Sequence, residues 1–194
     1  MKALPRRFYT RNTLIVAEEL LGKRLVRYID GSEMIGRIVE VEAYGGSDDP
    51  GSHACRGMTP RNQLMFREGG FAYVYFIYGK HYCFNVVTEK RNVPGAVLIR
   101  ALEPIKGIET MKRNRGIHSV LNLTNGPGKL AEAMKITKKQ NGLDLTKSKE
   151  LFICESEEKE ERFEIVSTRR IGIKVGVDKP WRLYIKNNKF VSRK

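Results

Sequence analysis

The sequence has little of what would mark a secreted, membrane-spanning or metal-dependent protein. Its three cysteines, Cys55, Cys83 and Cys154, are too few and too scattered for a disulfide framework, which points to a reduced, intracellular setting. The opening residues Met1 to Arg7 lack the apolar run of a signal peptide. No apolar stretch approaches the roughly 20 residues that cross a bilayer, so no membrane association is expected. There is no glycine-rich dinucleotide fingerprint, phosphate-binding loop, Ser–His–Asp arrangement or paired Cys-x-x-Cys. His53 and Cys55 stand too close together for the usual ligand spacing and no second pair completes a site, so neither metal nor cofactor is expected. Repeats, low-complexity tracts and linkers are missing too, and 194 residues suit a single domain spanning the whole chain.

What the sequence has in excess is positive charge. A formal net charge of +14 favours polyanionic partners, namely DNA, RNA or an anionic membrane surface. The membrane alternative is the weaker one, because no long basic amphipathic helix is visible.

Residues 1 to 9 read as a mobile opening segment. Thr10 and Asn12 are candidate caps for a helix through Leu20 and Leu21 that Gly22 ends. Asp30-Gly31 between two apolar runs predicts a hairpin joining a strand at Leu25–Ile29 to one at Met34–Ala43. Gly45 to Gly57 is loop, and Thr59-Pro60-Arg61-Asn62 predicts the start of a short helix ending at Phe66. An aromatic hairpin turning near Gly79 follows, then an apolar strand, Ala96 to Leu102, interrupted only by Arg100. Short helices are expected near residues 107–112 and 131–134, and strands at 151–154, 163–166 and 181–185. Asn125-Gly126-Pro127-Gly128-Lys129 reads equally well as a phosphate-holding helix start or as an ordinary turn. The acidic run Glu155 to Glu161 is a solvated face or loop. Strands and short helices without regular βαβ alternation predict an α+β fold with a mostly antiparallel sheet.

Two stretches could carry chemistry. In the strand Gly36–Tyr44, alternation puts Ile38, Glu40, Glu42 and Tyr44 on one face. A carboxylate in an apolar strand is costly to desolvate unless it has work to do. The bland alternative is a surface face bearing Glu40 and Glu42, and spacing cannot say which of them would be a base. Arg100 could pair with either, a structural role. In the aromatic hairpin, Phe71, Tyr73, Tyr75 and Ile77 share one face, and most such aromatics are core. Tyr78 differs: beside Gly79 at the tip it could wedge into stacked bases. Tyr75 and Asn85 share a face only if cross-strand position numbers sum to an even value, which requires an odd-length loop or a bulge.

These stretches resemble the alkyladenine (3-methyladenine) DNA glycosylase family. The matching residues are Gly36-Arg37-Ile38-Val39-Glu40, Glu42-Ala43-Tyr44, His53, Thr59-Pro60-Arg61-Asn62, Tyr73-Val74-Tyr75, Ile77-Tyr78-Gly79, Asn85, Arg100 to Pro104, Gly126-Pro127 with Lys129-Leu130, and Arg170 to Ile173. The resemblance implies a curved antiparallel sheet with surrounding short helices and a protruding hairpin. It implies that Glu42 activates water, that Arg100 helps hold that water and that Ile171 lends it a backbone carbonyl. Tyr44, His53 and Tyr75 would line a pocket for a flipped base, and Asn85 would disfavour a guanine amino group. Tyr78 would fill the gap left in the duplex. The implied partner is double-stranded DNA containing damaged purines, bound by a monomer without a cofactor. Gly128 and the pair Lys80-His81 depart from the family's pattern. The competing reading is a basic, non-catalytic nucleic-acid-binding module that uses the hairpin aromatics as a stacking platform.

Overall fold

A computed structural model of the chain describes residues 1–156 and 162–192, so most of the acidic run lies outside the described residues. The described strands form one eight-stranded sheet, every ladder of which is antiparallel. Strand β1 (Arg24–Ile29) turns through Asp30 and Gly31, both with positive φ, into β2 (Ser32–Tyr44). That left-handed two-residue turn matches the twist of the strands it joins. The aromatic hairpin is β3 (Ala72–Ile77) and β4 (His81–Val87), and β5 (Ala96–Lys106) follows. Three short strands, β6 (Leu151–Cys154), β7 (Ile165–Thr168) and β8 (Arg182–Ile185), complete the sheet. The helices α1 (Arg6–Tyr9), α2 (Thr13–Leu20), α3 (Ile108–Arg115) and α4 (Pro127–Ala133) are all short. The fold is therefore α+β, with β2 as its central strand. One edge of β2 pairs with β5, and the other is shared between β1 and β8.

Alternation along the strands gives the sheet two different faces. Val39, Val41 and Ala43 of β2 join Val97 and Ile99 of β5, Val74 of β3, and Phe84 and Val86 of β4 in the main core. Val16, Ala17 and Leu20 of α2 and Leu130, Ala131 and Ala133 of α4 belong to the same cluster. The opposite face carries the polar residues of interest and is covered by loops.

Two local expectations need correction. The opening segment is anchored: Leu4 and Tyr9 are buried, and the Leu4 N–H donates to Ile153 O at 2.8 Å. Beyond it, Asn12 caps α2, accepting from the N–H groups of Leu14 and Ile15. The helix expected from Thr59 shrinks to a 3₁₀ turn at Gln63–Phe66. Asn62 is the reason. Its buried side chain donates to His53 O at 2.7 Å and Gly57 O at 2.9 Å and accepts from Thr59 N at 2.6 Å, so the chain is held as a compact loop.

Candidate active site

Cross-strand pairing assembles the site from four strands. Tyr73 pairs with Asn85, Asn85 with Leu98, and Leu98 with Glu42, so these residues form one row across β3, β4, β5 and β2. The neighbouring rows bring Tyr75 to Cys83 and Ala96 to Tyr44 on the same face. The hairpin register sums to an even value because Tyr78, Gly79 and Lys80 make a three-residue loop between Ile77 and His81. That parity is what puts Tyr75 and Asn85 on one face. These side chains, Glu42 excepted, border a cavity of about 370 Å³, a volume suited to a small planar molecule. Tyr44, His53, Tyr73, Tyr75, Asn85, Arg100 and Ile171 all line it.

Glu40 and Glu42 are both 0% exposed, which excludes a solvated carboxylate face. Their surroundings differ. Glu42 accepts from the Tyr44 hydroxyl at 2.8 Å and the Ile171 N–H at 2.6 Å, and Arg100 Nη1 lies 3.2 Å from Oε2. All three of those residues are wall residues of the cavity. Glu40 instead accepts from Arg100 Nε at 3.1 Å, Arg182 Nε at 2.7 Å, and the N–H and hydroxyl of Ser192 at 2.6 and 2.9 Å. Arg100 bridges the two carboxylates. Burial works against its charge, but Glu42 and Glu40 outweigh that and hold the guanidinium protonated.

The aromatic wall is tightly interlocked. The His53 ring meets Tyr75 edge-on at 4.8 Å, and the Tyr73 and Tyr75 rings lie 5.3 Å apart. His53 Nδ1 is 2.9 Å from the Tyr73 hydroxyl. Burial, aided by the nearby Arg61 charge, lowers the His53 pKa from its ordinary 6.5, so the imidazole is neutral at pH 7. Burial pushes Tyr73 up to about 12 and drives Tyr44 and Tyr75 higher still, so all three present neutral hydroxyls. Cys83, on the same face, is pushed up to about 11 by burial and stays a thiol. Asn85, which also lines the cavity, donates to Tyr73 O at 3.0 Å.

Tyr78 stands apart at the hairpin tip, 81% exposed and with φ +55°. Left-handed backbone costs a non-glycine residue about 1–2 kcal/mol, and an exposed tyrosine gains nothing from the fold in return. Gly128, at the start of α4, sets the base of this hairpin. A Cβ there would lie 2.9 Å from His81 Cγ and 3.0 Å from its Cβ, atoms too near the backbone to swing aside. The two departures from the family pattern thus meet in space. Gly128→Ala is expected to destabilise by about 1–3 kcal/mol through that clash, measured by thermal unfolding, and His81→Ala in the same chain, which removes the Cγ contact but keeps the Cβ one, should restore only part of the loss. Lys129 Nζ meanwhile bonds Asn125 Oδ1 at 2.8 Å, which favours the ordinary turn over a phosphate loop.

Several residues that build the site had no role assigned to them from the sequence. Arg170 makes a bidentate, fully buried pair with Asp49, both contacts 2.6 Å, and also bonds Ala43 O and Gly176 O. Its guanidinium lies 4.7 Å from the Tyr44 ring centroid. Asp49 in turn accepts from the N–H groups of Gly45 and Gly51. One ion pair therefore ties two loops to the end of β2 and delivers the adjacent Ile171 N–H to Glu42. Arg182 and Ser192 have no signal in the sequence, because nothing in local periodicity distinguishes them, and Tyr73, expected in the core, lines the cavity instead.

Comparison with known proteins decides the family. The model of the Methylpurine-DNA glycosylase family matches residues 7–189. The chain belongs to that family. A protein of Carboxydothermus hydrogenoformans named "Putative 3-methyladenine DNA glycosylase" is 54% identical over 191 residues, covering 98% of this chain and 99% of its own. Proteins of the same name from Clostridium acetobutylicum and Natranaerobius thermophilus are 49% and 48% identical, with at least 95% of each chain covered. Family membership agrees with the basic charge and with the aromatic cavity. Among the described residues no three His, Cys, Asp or Glu side chains converge as a metal cluster, and no helix is long and apolar enough to cross a membrane.

Proposed function

We propose that the chain is a monofunctional DNA glycosylase that draws an alkylated purine out of duplex DNA and hydrolyses its N-glycosidic bond with water activated by Glu42. The observation that carries this reading is the buried Glu42 carboxylate, held by Tyr44, Arg100 and the Ile171 N–H behind an aromatic-lined cavity. Duplex stacking hides the glycosidic bond, so the nucleotide must be extruded at a cost of a few kcal/mol. In the cavity, Tyr44, His53 and Tyr75 offer aromatic faces to an electron-poor ring, which favours cationic purines alkylated at N3 or N7. As the bond breaks, Glu42 takes a proton from water and its charge steadies the oxocarbenium-like sugar. Arg100 and the Ile171 backbone would hold that water against the carboxylate. A cationic purine leaves without an acid, whereas a neutral deaminated purine such as hypoxanthine first needs a proton and should be released more slowly. Asn85, in the cavity wall, would disfavour an exocyclic amino group at the guanine position.

The test is chromatographic: bases freed from methylated and from inosine-containing duplex DNA by the wild-type protein. A binding module would free none. Strand cleavage is not expected, since among the described residues no lysine lines the cavity, and β-elimination products would contradict that part. Tyr78 would occupy the vacated space in the duplex. Tyr78→Ala is expected to slow single-turnover base release from duplex DNA by about ten- to a hundred-fold. Release from single-stranded substrate, which has no gap to fill, should change little. Equal losses on both substrates would remove the wedge role.

A further inference from the structure

Glu40 has no part in the reaction as described, yet it is the more heavily bonded of the two strand carboxylates. Its oxygens receive Arg100 Nε, Arg182 Nε, and both the N–H and the hydroxyl of Ser192, on chain segments 60 to 152 residues away. Arg100 is fixed at a second point as well, its Nη2 lying 3.4 Å from the Ser192 hydroxyl. With Nε and Nη2 held on the Glu40 side, Nη1 is the nitrogen presented to Glu42, at 3.2 Å.

We infer that Glu40, together with Ser192, is a positioning residue for hydrolysis: it holds the Arg100 guanidinium so that one nitrogen, and not two, engages Glu42. The inference rests on the reading of Glu42 as the base. A guanidinium is a planar fork that pairs with a carboxylate in bidentate fashion when nothing restrains it. Released from Glu40, Arg100 would turn and chelate Glu42, covering lone pairs that the attacking water needs. Misplacement by about 1 Å in such a constellation can cost two orders of magnitude in rate. The groups around Glu42 that share this field are Tyr44 and Glu40 on its own strand, Arg100 from β5, Cys83 from β4, Tyr75 from β3, Arg182 opposite Glu42 on β8, and Arg170 from the loop before β8. Glu40 is the only other carboxylate among them. Replacing it with glutamine withdraws that like charge and frees the cation to turn.

The experiment is single-turnover base release from methylated duplex DNA across pH, with DNA affinity and thermal unfolding measured in parallel on wild type, Glu40→Gln and Ser192→Ala. For Glu40→Gln the expected result is a plateau rate lower by about ten- to a hundred-fold, unchanged DNA affinity, and an acid limb displaced from its wild-type position. Ser192→Ala should move the limb the same way with a loss of roughly fivefold, about one hydrogen bond's worth. A purely structural role predicts lower melting temperature and a smaller active fraction, with the wild-type pH profile intact, and that result would overturn the inference. Should Glu40→Gln not fold, Ser192→Ala decides alone by whether its limb moves. Wild type that frees no base would defeat the glycosylase reading itself, whereas active wild type with unchanged variants would defeat this inference only.

Discussion

Glu42→Gln is expected to lower base release from methylated duplex DNA by about a thousand-fold or more while leaving DNA binding nearly unchanged. General-base assistance accounts for roughly 10²–10⁴ in rate, and loss of the negative charge beside a developing sugar cation adds to it. Glutamine is nearly isosteric, so the cavity keeps its shape. What changes is hydrogen-bond polarity. Glu42 receives donors on both oxygens, the Ile171 N–H on Oε1 and the Tyr44 hydroxyl with Arg100 on Oε2. An amide has one acceptor oxygen, so its NH₂ must face one of those donors. A modest fall in melting temperature should therefore accompany the catalytic loss. Alanine would be the poorer probe, since it would leave Arg100 near an empty space and confuse folding with chemistry. The measurement is single-turnover chromatography of free bases beside a gel-shift affinity for the same duplex. A glutamine variant at wild-type rate would remove Glu42 from the mechanism.

The second large effect is on stability. Asp49→Ala should destabilise the protein by about 3–5 kcal/mol, because it leaves the Arg170 guanidinium buried and unpaired. At this chain length that corresponds to a melting temperature lower by roughly 10 °C. Activity should fall further than the folded fraction does, since Ile171 follows Arg170 directly and its N–H fixes Glu42. Replacing both partners with apolar residues, Asp49→Leu with Arg170→Met, should recover much of the stability without the activity. Acid reaches the same pair in the wild type. Burial opposes ionisation of Asp49, but the Arg170 guanidinium and the N–H groups of Gly45 and Gly51 outweigh it, and its pKa lies below the ordinary 3.8. Its contribution is thus complete above that value and is lost as pH falls through the lowered one. A melting temperature that follows pH only at the acid extreme would agree. No change in stability for Asp49→Ala would refute the account.

How much of the site was legible beforehand can be judged residue by residue. Alternation in β2 gave the shared face of Glu40, Glu42 and Tyr44, but Ile38, expected there too, lies in the main core beside an irregularity in the β5 register, and Asp30-Gly31 gave the turn before it. The parity condition for Tyr75 and Asn85, an odd-length loop or a bulge, is met by the three-residue hairpin loop. Tyr73 was undervalued, because a tyrosine in a strand is core far more often than cavity wall. The helix expected at Thr59 was misjudged, because the Asn62 side chain turned inward to bind three backbone groups instead of capping a helix.

Taken by itself, the sequence determined the period-2 order of side chains along each strand, the local turns, and an electrostatic bias toward a polyanion. Its resemblance to known glycosylases also singled out Glu42 over Glu40. Only the tertiary structure decided what lies over the polar face of the sheet: the loops carrying Asp49 and His53, the segment with Arg170 and Ile171, and Ser192. The physical reason is range. Strand alternation is a local steric property, readable two residues at a time. The saturation of Glu40 and the partial engagement of Glu42 depend on donors as far as 152 residues along the chain, brought in by buried ion pairs that leave no periodic trace.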